Sequence, residues 1–294
     1  MDAASDCGDY GLTIIAFVGS VFSPYYAWAR SRREADAENH VALNVAMYGR
    51  GGYRWSMTER GRRDLNRSAD RLTIGPSSVR WSGAQLEIDI DETCVPIPRA
   101  LRGRVVVTPA SAPSEPFALD AARRHIWQPI APVARVVVQM DAPKRSWSGQ
   151  AYIDSNLGSE PLEAAFMSWD WSRTIERDRT RIFYDIVARD GSSTSIAPVY
   201  GSAPPSDGSP VMPPGQVELK PSLWRVPRKI RSEASQATGV LETWEDGPFY
   251  ARTLVGTQIG GERIRAVHET VSLSRFSHPV VKAMLPFRMP RWAR

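Results

Sequence analysis

The sequence predicts a mainly β protein built from two antiparallel barrel or sandwich units, and three observations point to this class. Short runs of β-branched and aromatic residues recur at intervals of roughly 8 to 12 residues. Gly, Pro, Asn and Asp, which favour turns, separate these runs. Few segments show helical periodicity, and residues 27–37 and the last turns of the chain are the exceptions. With about fourteen strands, two units fit this chain better than one.

The first half of the chain consists of strand-like runs joined by turns. The run QLEIDID alternates most clearly, since Leu86, Ile88 and Ile90 face one way and the acidic residues between them face the other. Residues 11–29 are uncharged but contain Ser and Pro, so they predict a buried strand and a turn rather than a membrane span. In chain order the runs are LTIIAFV, HVALNVAMY, YRWSMTE, RLTIG, QLEIDIDE, GRVVVTP and ARVVVQM.

The same strand pattern resumes after residue 150, which predicts a second β unit. Residues 141–149 interrupt the pattern with Pro and charge, so we expect an N-terminal domain at 1–142 and a C-terminal domain at 143–294. Seven prolines within 196–221 predict a long surface loop inside the second domain. The later runs are LEAAFMSWDWSR, TRIFYDIVARDG, GVLETWED, FYARTLVGTQ and RIRAVHETVSLSR.

The excess positive charge is confined to the C-terminus. The chain carries 37 Lys and Arg against 32 Asp and Glu, and the last 25 residues hold five of the basic residues and no acid. A protein whose remaining surface is neutral overall is not expected to bind nucleic acid. Residues 276–294 also contain Val, Met, Leu, Phe and Trp, which predicts a basic amphipathic tail.

Several kinds of site are absent from the sequence. No glycine-rich segment has the spacing and the strand-to-helix setting of a phosphate-binding loop, and no GxSxG segment is present. Two cysteines and four histidines show no metal-ligand spacing, so we expect reduced thiols in a cytoplasmic protein and no metal or cofactor. The chemistry then depends on carboxylates, histidine and aromatic residues.

Three pairs of residues stand two apart on predicted strands, so each pair shares a strand face. His125 and Trp127 lie in RRHIWQPI, and Tyr152 and Asp154 lie in GQAYIDSN. If these strands are neighbours, an imidazole, an indole, a phenol and a carboxyl group line one cavity. A further pair of tryptophans, at positions 169 and 171 in SWDWSR, adds an aromatic wall.

Each pair also has a structural interpretation that the sequence leaves open. An HxW pair in a β-rich chain is typical of core packing. Asp154 precedes Ser155 and Asn156, and this tripeptide favours a turn. The two tryptophans that flank Asp170 are equally compatible with a buried core.

Several segments of the sequence resemble those of one known family, the acyclic carotenoid 1,2-hydratases (hydroxyneurosporene synthases) of purple photosynthetic bacteria. The likeness extends from about residue 11 to residue 291. It implies a fold of two lipocalin-like domains and the addition of water to the terminal 1,2 double bond of neurosporene or lycopene, without cofactor or metal. The segments that carry it include AFVGSVFSPYYAWAR, ENHVALNVAMYG, RWSMTERGR, IGPSSVRW, HIWQPIAPVARV, WSGQAYIDSNLGSEPLE, WRVPR, EDGPFYAR and MLPFRMPR.

The resemblance also implies that the catalytic residues are His125, Trp127, Tyr152 and Asp154. Asp154 is then the general acid that protonates the alkene, and it must be buried to hold its proton. Trp127 and Tyr152 face the tertiary carbocation, while Trp169 and Trp171 bind the substrate. His125 is either the base that takes a proton from water or a residue that orients Asp154, and the sequence does not separate these roles.

The expected partners are an acyclic carotenoid and a membrane surface. The substrate dissolves in the bilayer, so the protein is expected in the cytoplasm, peripherally attached to the inner or photosynthetic membrane. The tail of residues 276–294 either lies on anionic lipid or closes the fold as a strand or cap. Two other functions fit the same fold: a lipocalin-like carotenoid carrier, and a cofactor-free terpenoid isomerase or pericyclase. The oligomeric state is not indicated by the sequence.

Overall fold

The computed structural model describes residues 1–32, 35–201 and 207–292. Strands dominate these residues, which confirms the predicted mainly β class. The first twelve strands are β1 Asp2–Ser5, β2 Tyr10–Val18, β3 Val41–Gly49, β4 Arg54–Ser56, β5 Glu59–Arg60, β6 Leu65–Arg67, β7 Arg71–Ile74, β8 Ser77–Ser82, β9 Gln85–Thr93, β10 Ala100–Pro109, β11 Phe117–Ala118 and β12 His125–Ala142. 

The second half of the chain continues in strands, and the helices are short. The later strands are β13 Lys144–Gly158, β14 Phe166–Thr174, β15 Arg179–Ala188, β16 Ser193–Ile196, β17 Pro198–Gly201, β18 Asp207–Pro210, β19 Gln216–Leu219, β20 Arg228–Arg231, β21 Gly239–Asp246, β22 Tyr250–Ile259, β23 Glu262–Ser272 and β24 Arg291–Trp292. The α-helices are α1 Pro24–Ser31, α2 Leu162–Ala165, α3 Leu273–Phe276 and α4 Pro279–Met284. Short 3₁₀ turns occupy Ala37–Asn39, Arg62–Asp64, Ser235–Ala237 and Leu285–Phe287.

The strands form two large sheets and a separate hairpin. The first sheet has the order β24-β5-β3-β2-β1-β13-β12-β10-β9-β8-β7-β6, with β4 also on β3 and β11 also on β12. The second has the order β18-β17-β15-β14-β23-β22-β21, with β16 also on β15. The hairpin pairs β19 with β20. Pairing is antiparallel throughout the described registers except between β24 and β5, which run parallel.

The chain divides into two compact units that are interleaved along the sequence, whereas the predicted domains are consecutive. Unit 1 comprises Met1–Ala110, Ala134–Ile153 and Lys282–Arg294, and unit 2 comprises Ser111–Val133 and Asp154–Val281. The reason lies in β12 and β13, which have 18 and 15 residues. An ordinary strand has about five or six residues. β12 and β13 are much longer, and each runs from one unit into the other. 

Unit 1 is built around a row of buried aliphatic residues that crosses neighbouring strands. Ile88 of β9 lies opposite Val105 of β10, which lies opposite Val138 of β12, and all three are buried. The alternation predicted in QLEIDID is confirmed, since Leu86, Ile88 and Ile90 are buried and the acidic residues between them are more exposed. β3 is buried along almost its whole length, as a central strand should be.

Apolar clusters also lie on the sheet of unit 2. One joins the β19–β20 hairpin to the sheet through Leu219, Ile230, Val255 and Ala266. A second brings together buried residues of three segments, namely Phe183, Ala197 and Ile259. The first of these clusters shows that the hairpin packs against the second sheet.

The first uncharged segment forms a strand and a helix. β2 pairs along its length with β3, which confirms the predicted buried strand. The helix predicted at residues 27–37 instead occupies Pro24–Ser31. It begins earlier because Ser23 caps it, accepting a hydrogen bond from Tyr26 N at 3.0 Å, and proline suits the first helical position. Among the described residues, the helices are all too short or too polar to cross a membrane.

The proline-rich segment predicted as a loop contains strands β17, β18 and β19. Proline is compatible with strand edges, where no ladder hydrogen bond is lost, and Pro198 lies opposite Pro210 at the end of the sheet. Five residues of the predicted loop, 202–206, lie outside the described part of the chain.

The C-terminal tail is folded onto unit 1. β24 pairs with β5, and the Arg291 guanidinium donates to the carboxylate of Glu59, which is fully buried. Arg291 also donates to the carbonyl oxygen of Asn39 at 2.9 Å. Of the two alternatives for the tail, these contacts favour the closing strand for its last residues.

Candidate active site

Two of the predicted catalytic residues meet directly in unit 2. The indole N–H of Trp127 donates a hydrogen bond to Asp154 Oδ2 at 3.0 Å. Trp127 comes from β12 and Asp154 from β13, which are neighbours in the first sheet. Trp127 is fully buried and Asp154 is half-buried. The alternative prediction of a turn at Asp154 is wrong, because β13 continues to Gly158.

His125 is held by a carboxylate that the sequence analysis did not identify. Asp120 Oδ2 accepts the main-chain N–H of His125 at 2.7 Å and lies 3.0 Å from its ring Nδ1. The other ring nitrogen, Nε2, lies 3.3 Å from the carbonyl oxygen of Glu160. His125 is 1% exposed, and within the described ranges no hydrogen bond joins it to Asp154. The imidazole is therefore fixed by two acceptors, on opposite sides of the ring.

Asp120 remains ionised because hydrogen bonds outweigh its burial. Burial raises the pKa of this carboxyl, but the main-chain N–H groups of Arg124 and His125 and the imidazole together hold the pKa below its usual value. The Arg124 N–H donates to Asp120 Oδ1 at 3.1 Å. Asp120 stands five residues before His125, across a turn, and that spacing is the signal that the sequence offered.

The site residues belong to one continuous chain of aromatic contacts, which we call the ring cluster. Trp127 contacts Phe117 and Tyr184, with ring centroids 5.3 and 5.5 Å apart. Tyr184 contacts Trp169 at 6.2 Å. Phe166 then links Trp169, at 6.4 Å, to His125, at 4.8 Å. In contact order the ring cluster is Phe117, Trp127, Tyr184, Trp169, Phe166 and His125.

Another carboxylate, that of Glu269, lies beside Trp169, an inner member of the ring cluster. The indole N–H of Trp169 donates to Glu269 Oε1 at 3.3 Å. The hydroxyl of Tyr250 and the guanidinium of Arg252 approach Glu269 Oε2 at 3.1 and 3.2 Å. Glu269 thus has a buried, charged hydrogen-bond partner in Arg252.

Trp171 and Tyr152 complete the predicted set. Trp171 is buried on β14, directly opposite Tyr184 on β15 and Glu269 on β23. Tyr152 is 1% exposed and lies on β13 opposite Asp2 of β1, in unit 1. The described contacts thus bring together His125, Trp127, Asp154 and the two tryptophans in unit 2, and place Tyr152 two residues before Asp154 on the same strand.

Tyr184 is the aromatic residue that sequence reasoning missed. Burial, and then the Glu269 and Asp154 carboxylates, raise the pKa of Tyr184 well above its usual value. It stands in RIFYDIV, which predicts a strand but carries no feature that distinguishes a site residue from core. Only strand pairing puts Tyr184 beside Trp127.

A groove elsewhere in unit 2 does not coincide with this site. The groove, of about 430 Å³, is lined by residues of β21, β22 and β23 that include Leu241 and Arg263, and none of its lining residues is a predicted site residue. In the described part of the chain, no group of three or more His, Cys, Asp or Glu side chains is arranged to hold a metal ion.

Comparison with known proteins gives matches over nearly the whole chain. The family model of the carotenoid hydratase CrtC matches residues 14–294. The acyclic carotenoid 1,2-hydratase of Thiocapsa roseopersicina is 52% identical over 292 residues, which cover 99% of this chain and 72% of the relative. The corresponding protein of Rubrivivax gelatinosus is 47% identical, with 100% and 72% covered. That of Rhodobacter capsulatus is 40% identical, with 95% and 98% covered.

Two solved structures share the overall fold at low sequence identity. A protein described as AttH from Nitrosomonas europaea superposes with a TM-score of 0.55 and 12% identity, over 92% of this chain and 89% of that one. CghA with Sch210972 superposes with a TM-score of 0.56 and 11% identity, over 94% and 88%. These likenesses agree with the predicted lipocalin-like class, while the closure of either unit into a barrel stays a prediction.

Proposed function

The chain belongs to the carotenoid hydratase CrtC family, and we propose that it adds water to the terminal 1,2 double bond of acyclic carotenoids such as neurosporene and lycopene. The product is a tertiary 1-hydroxy carotenoid, and no cofactor takes part. The observation that carries the proposal is the hydrogen bond from Trp127 to Asp154 within the ring cluster. It supplies a carboxyl group beside aromatic rings, which is what protonation of an isolated alkene requires.

Asp154 is the proposed general acid. The Trp127 N–H is a donor, and in the proposed arrangement Oδ2 is the carbonyl oxygen of a protonated Asp154 that accepts it. The acidic proton then resides on Oδ1, and the indole fixes which oxygen delivers it. Transfer of this proton to carbon 2 leaves a tertiary cation at carbon 1.

Aromatic rings are the proposed stabilisers of this cation. Trp127 and Trp169 belong to the ring cluster, and each ring that faces a cation contributes about 0.5–2 kcal/mol. Trp171, opposite Tyr184, extends the aromatic surface proposed to hold the polyene. Tyr152 remains a proposed catalytic residue on the strength of the family resemblance.

His125 is proposed to position the site rather than to act as the base. A neutral imidazole carries one N–H, whereas His125 faces an acceptor at each ring nitrogen, Asp120 and the Glu160 carbonyl. Both ring nitrogens are thus engaged with protein groups, and neither is the proposed base. The proton released by the attacking water therefore returns to the Asp154 carboxylate, which regenerates the acid.

The experiment that tests the proposal is hydration of purified lycopene or neurosporene by wild type and Asp154→Asn. The wild type should form the 1-hydroxy product, with one carbon-bound deuterium per hydrated end in D₂O. Asp154→Asn, which keeps the shape but cannot donate an acidic proton, should lose about 10²-fold or more of the rate. Asp89→Asn is the matched control, since Asp89 is an exposed carboxylate on β9 of unit 1.

The outcomes separate the alternatives. A wild type that binds carotenoid without forming product is a carrier, and one that forms an isomer is an isomerase. An Asp154→Asn protein that is folded and fully active would show that Asp154 is not the acid.

We further propose that the protein attaches peripherally to a membrane through exposed apolar residues of its tail. Phe287 is 78% exposed and Trp292 is 55% exposed. Two tail arginines within the described residues contact protein: Arg288 stacks on Trp55 at 4.3 Å, and Arg291 pairs with Glu59. Apolar insertion by Phe287 and Trp292, more than net charge, is therefore the proposed attachment.

A further inference from the structure

Tyr184 lies between the indoles of Trp127 and Trp169, each of which donates a hydrogen bond to a carboxylate. Its ring meets Trp127 at an interplanar angle of 88° and Trp169 at 74°. The N–H of Trp127 donates to Asp154, and that of Trp169 donates to Glu269. Tyr184 thus contacts both the indole bound to Asp154, the proposed acid, and the indole bound to Glu269.

The Tyr184 side chain is buried, and no described protein group forms a hydrogen bond with its hydroxyl. The residue is 6% exposed, and its oxygen forms no hydrogen bond within the described ranges of the chain. Hydroxyl groups of buried residues are usually hydrogen-bonded, to protein or to water, so the Tyr184 hydroxyl in this candidate active site is available to bind a water molecule. Because its pKa is raised, the phenol keeps its proton and is available both to donate and to accept.

We propose that Tyr184 is a further catalytic residue, whose hydroxyl binds the water molecule that attacks the carbocation. The proposal rests on the proposed function and adds to it the group that places the nucleophile. A site that must deliver water to a hydrocarbon needs one polar group beside the cation, and the phenol is flanked by rings on both sides.

The proposed hydration breaks one O–H bond of Asp154 and one O–H bond of water, and it forms one C–H bond and one C–O bond. The O–H bond of Asp154 breaks and its proton forms a C–H bond at carbon 2 with the alkene electron pair. Water donates one of its O–H groups to Tyr184 Oη, and its oxygen forms a bond to carbon 1. The other proton of the water passes to the Asp154 carboxylate. The products are the tertiary alcohol and the regenerated acid, and Tyr184 is unchanged.

This role predicts that the Tyr184 hydroxyl affects the binding of product but not the binding of substrate. The hydrocarbon substrate has no polar group, so the Tyr184 hydroxyl contributes nothing to its binding. The product hydroxyl still contacts Tyr184, so product affinity depends on it. A purely structural residue would not distinguish a hydroxy carotenoid from its parent hydrocarbon.

The test compares wild type, Tyr184→Phe and Tyr200→Phe. Tyr184→Phe keeps the ring and its two indole contacts, and Tyr200 is a second buried tyrosine of unit 2, outside the ring cluster. We expect Tyr184→Phe to lower kcat for lycopene roughly 10-fold or more, to change KM by less than about 2-fold and to weaken binding of the 1-hydroxy product roughly 10-fold. Tyr200→Phe should match wild type in all three. Product and lycopene binding are also measured directly, by quenching of tryptophan fluorescence.

Each outcome decides between the proposals. If wild type does not hydrate lycopene, the proposed function fails, while selective loss of hydroxy-carotenoid binding in Tyr184→Phe still supports Tyr184 as the hydroxyl-binding group. If wild type is active and Tyr184→Phe equals it in kcat and product binding, the role of Tyr184 is overturned. Failure of Tyr184→Phe to fold would also overturn it, since the hydroxyl would then have a structural partner.

Discussion

Asp120 holds His125 at two points, because its Oδ2 accepts the main-chain N–H at 2.7 Å and lies 3.0 Å from ring Nδ1. One carboxylate oxygen thus fixes both the backbone at the start of β12 and the orientation of the imidazole. Trp127 follows two residues later on the same strand, so a displacement of the first residues of β12 would also move the indole that contacts Asp154.

The first prediction concerns Asp120→Asn. The substitution keeps the size of the side chain but removes the charge, so we expect activity to fall about 10-fold and the free energy of unfolding at neutral pH to fall by about 1–2 kcal/mol.

The stability difference should depend on pH. The folded-state pKa of Asp120 lies below its ordinary value of 3.8, so its ionised form stabilises the folded state above that value. This contribution is lost as the pH falls through the lower folded-state pKa. Urea unfolding of both proteins between about pH 6 and about pH 2 should show the difference shrinking with acid. A difference that stays constant would contradict the role of the Asp120 charge.

The second prediction concerns Trp127→Phe. Phenylalanine retains a ring but cannot donate to Asp154, so kcat should fall roughly 10-fold or more, and stability should fall by about 2 kcal/mol because the site is fully buried. Steady-state kinetics and thermal unfolding measure the two effects. Trp28→Phe, on an exposed part of α1, is the control and should change neither. Unaltered kcat in folded Trp127→Phe would remove the indole N–H from the mechanism.

The third prediction concerns the anchoring of the tail. Arg291→Met leaves the buried Glu59 carboxylate with His40 as its remaining ionisable partner, so we expect a loss of about 3 kcal/mol in the free energy of unfolding. Arg62→Met breaks exposed pairs with Asp36 and Glu38 and should lower the free energy of unfolding far less. Urea titration of both variants makes the comparison. Equal losses would mean that the Arg291–Glu59 pair does not anchor the tail.

The fourth prediction concerns membrane attachment. The double variant Phe287→Ser, Trp292→Ser removes two exposed apolar side chains and leaves Arg291 in place, so it should remain folded and bind vesicles of phosphatidylcholine and phosphatidylglycerol at least about 10-fold more weakly. Flotation on a density gradient measures this. Leu223→Ser, which removes an exposed apolar residue from unit 2, should float like wild type. If the double variant also floats like wild type, attachment does not use the tail. Cutting the tail off is a poorer test, because β24 pairs with β5.

The sequence by itself determined the strand-rich class, the alternation in β9 and the two residue pairs of β12 and β13. These features are local: residues two apart on a strand share a face whatever the strand packs against. The resemblance to the hydratase family also comes from the sequence, because it depends on the order of residues alone.

Tertiary structure alone decided the partners of those residues. Asp120, Tyr184 and Glu269 became candidate site residues because strand register and one turn bring them beside His125, Trp127 and Trp169. The interleaving of the two units was likewise hidden, since it follows from how far β12 and β13 extend. The physical reason is common to all of these: non-local contacts are set by pairing between strands distant in sequence, and a one-residue change of register would exchange every neighbour.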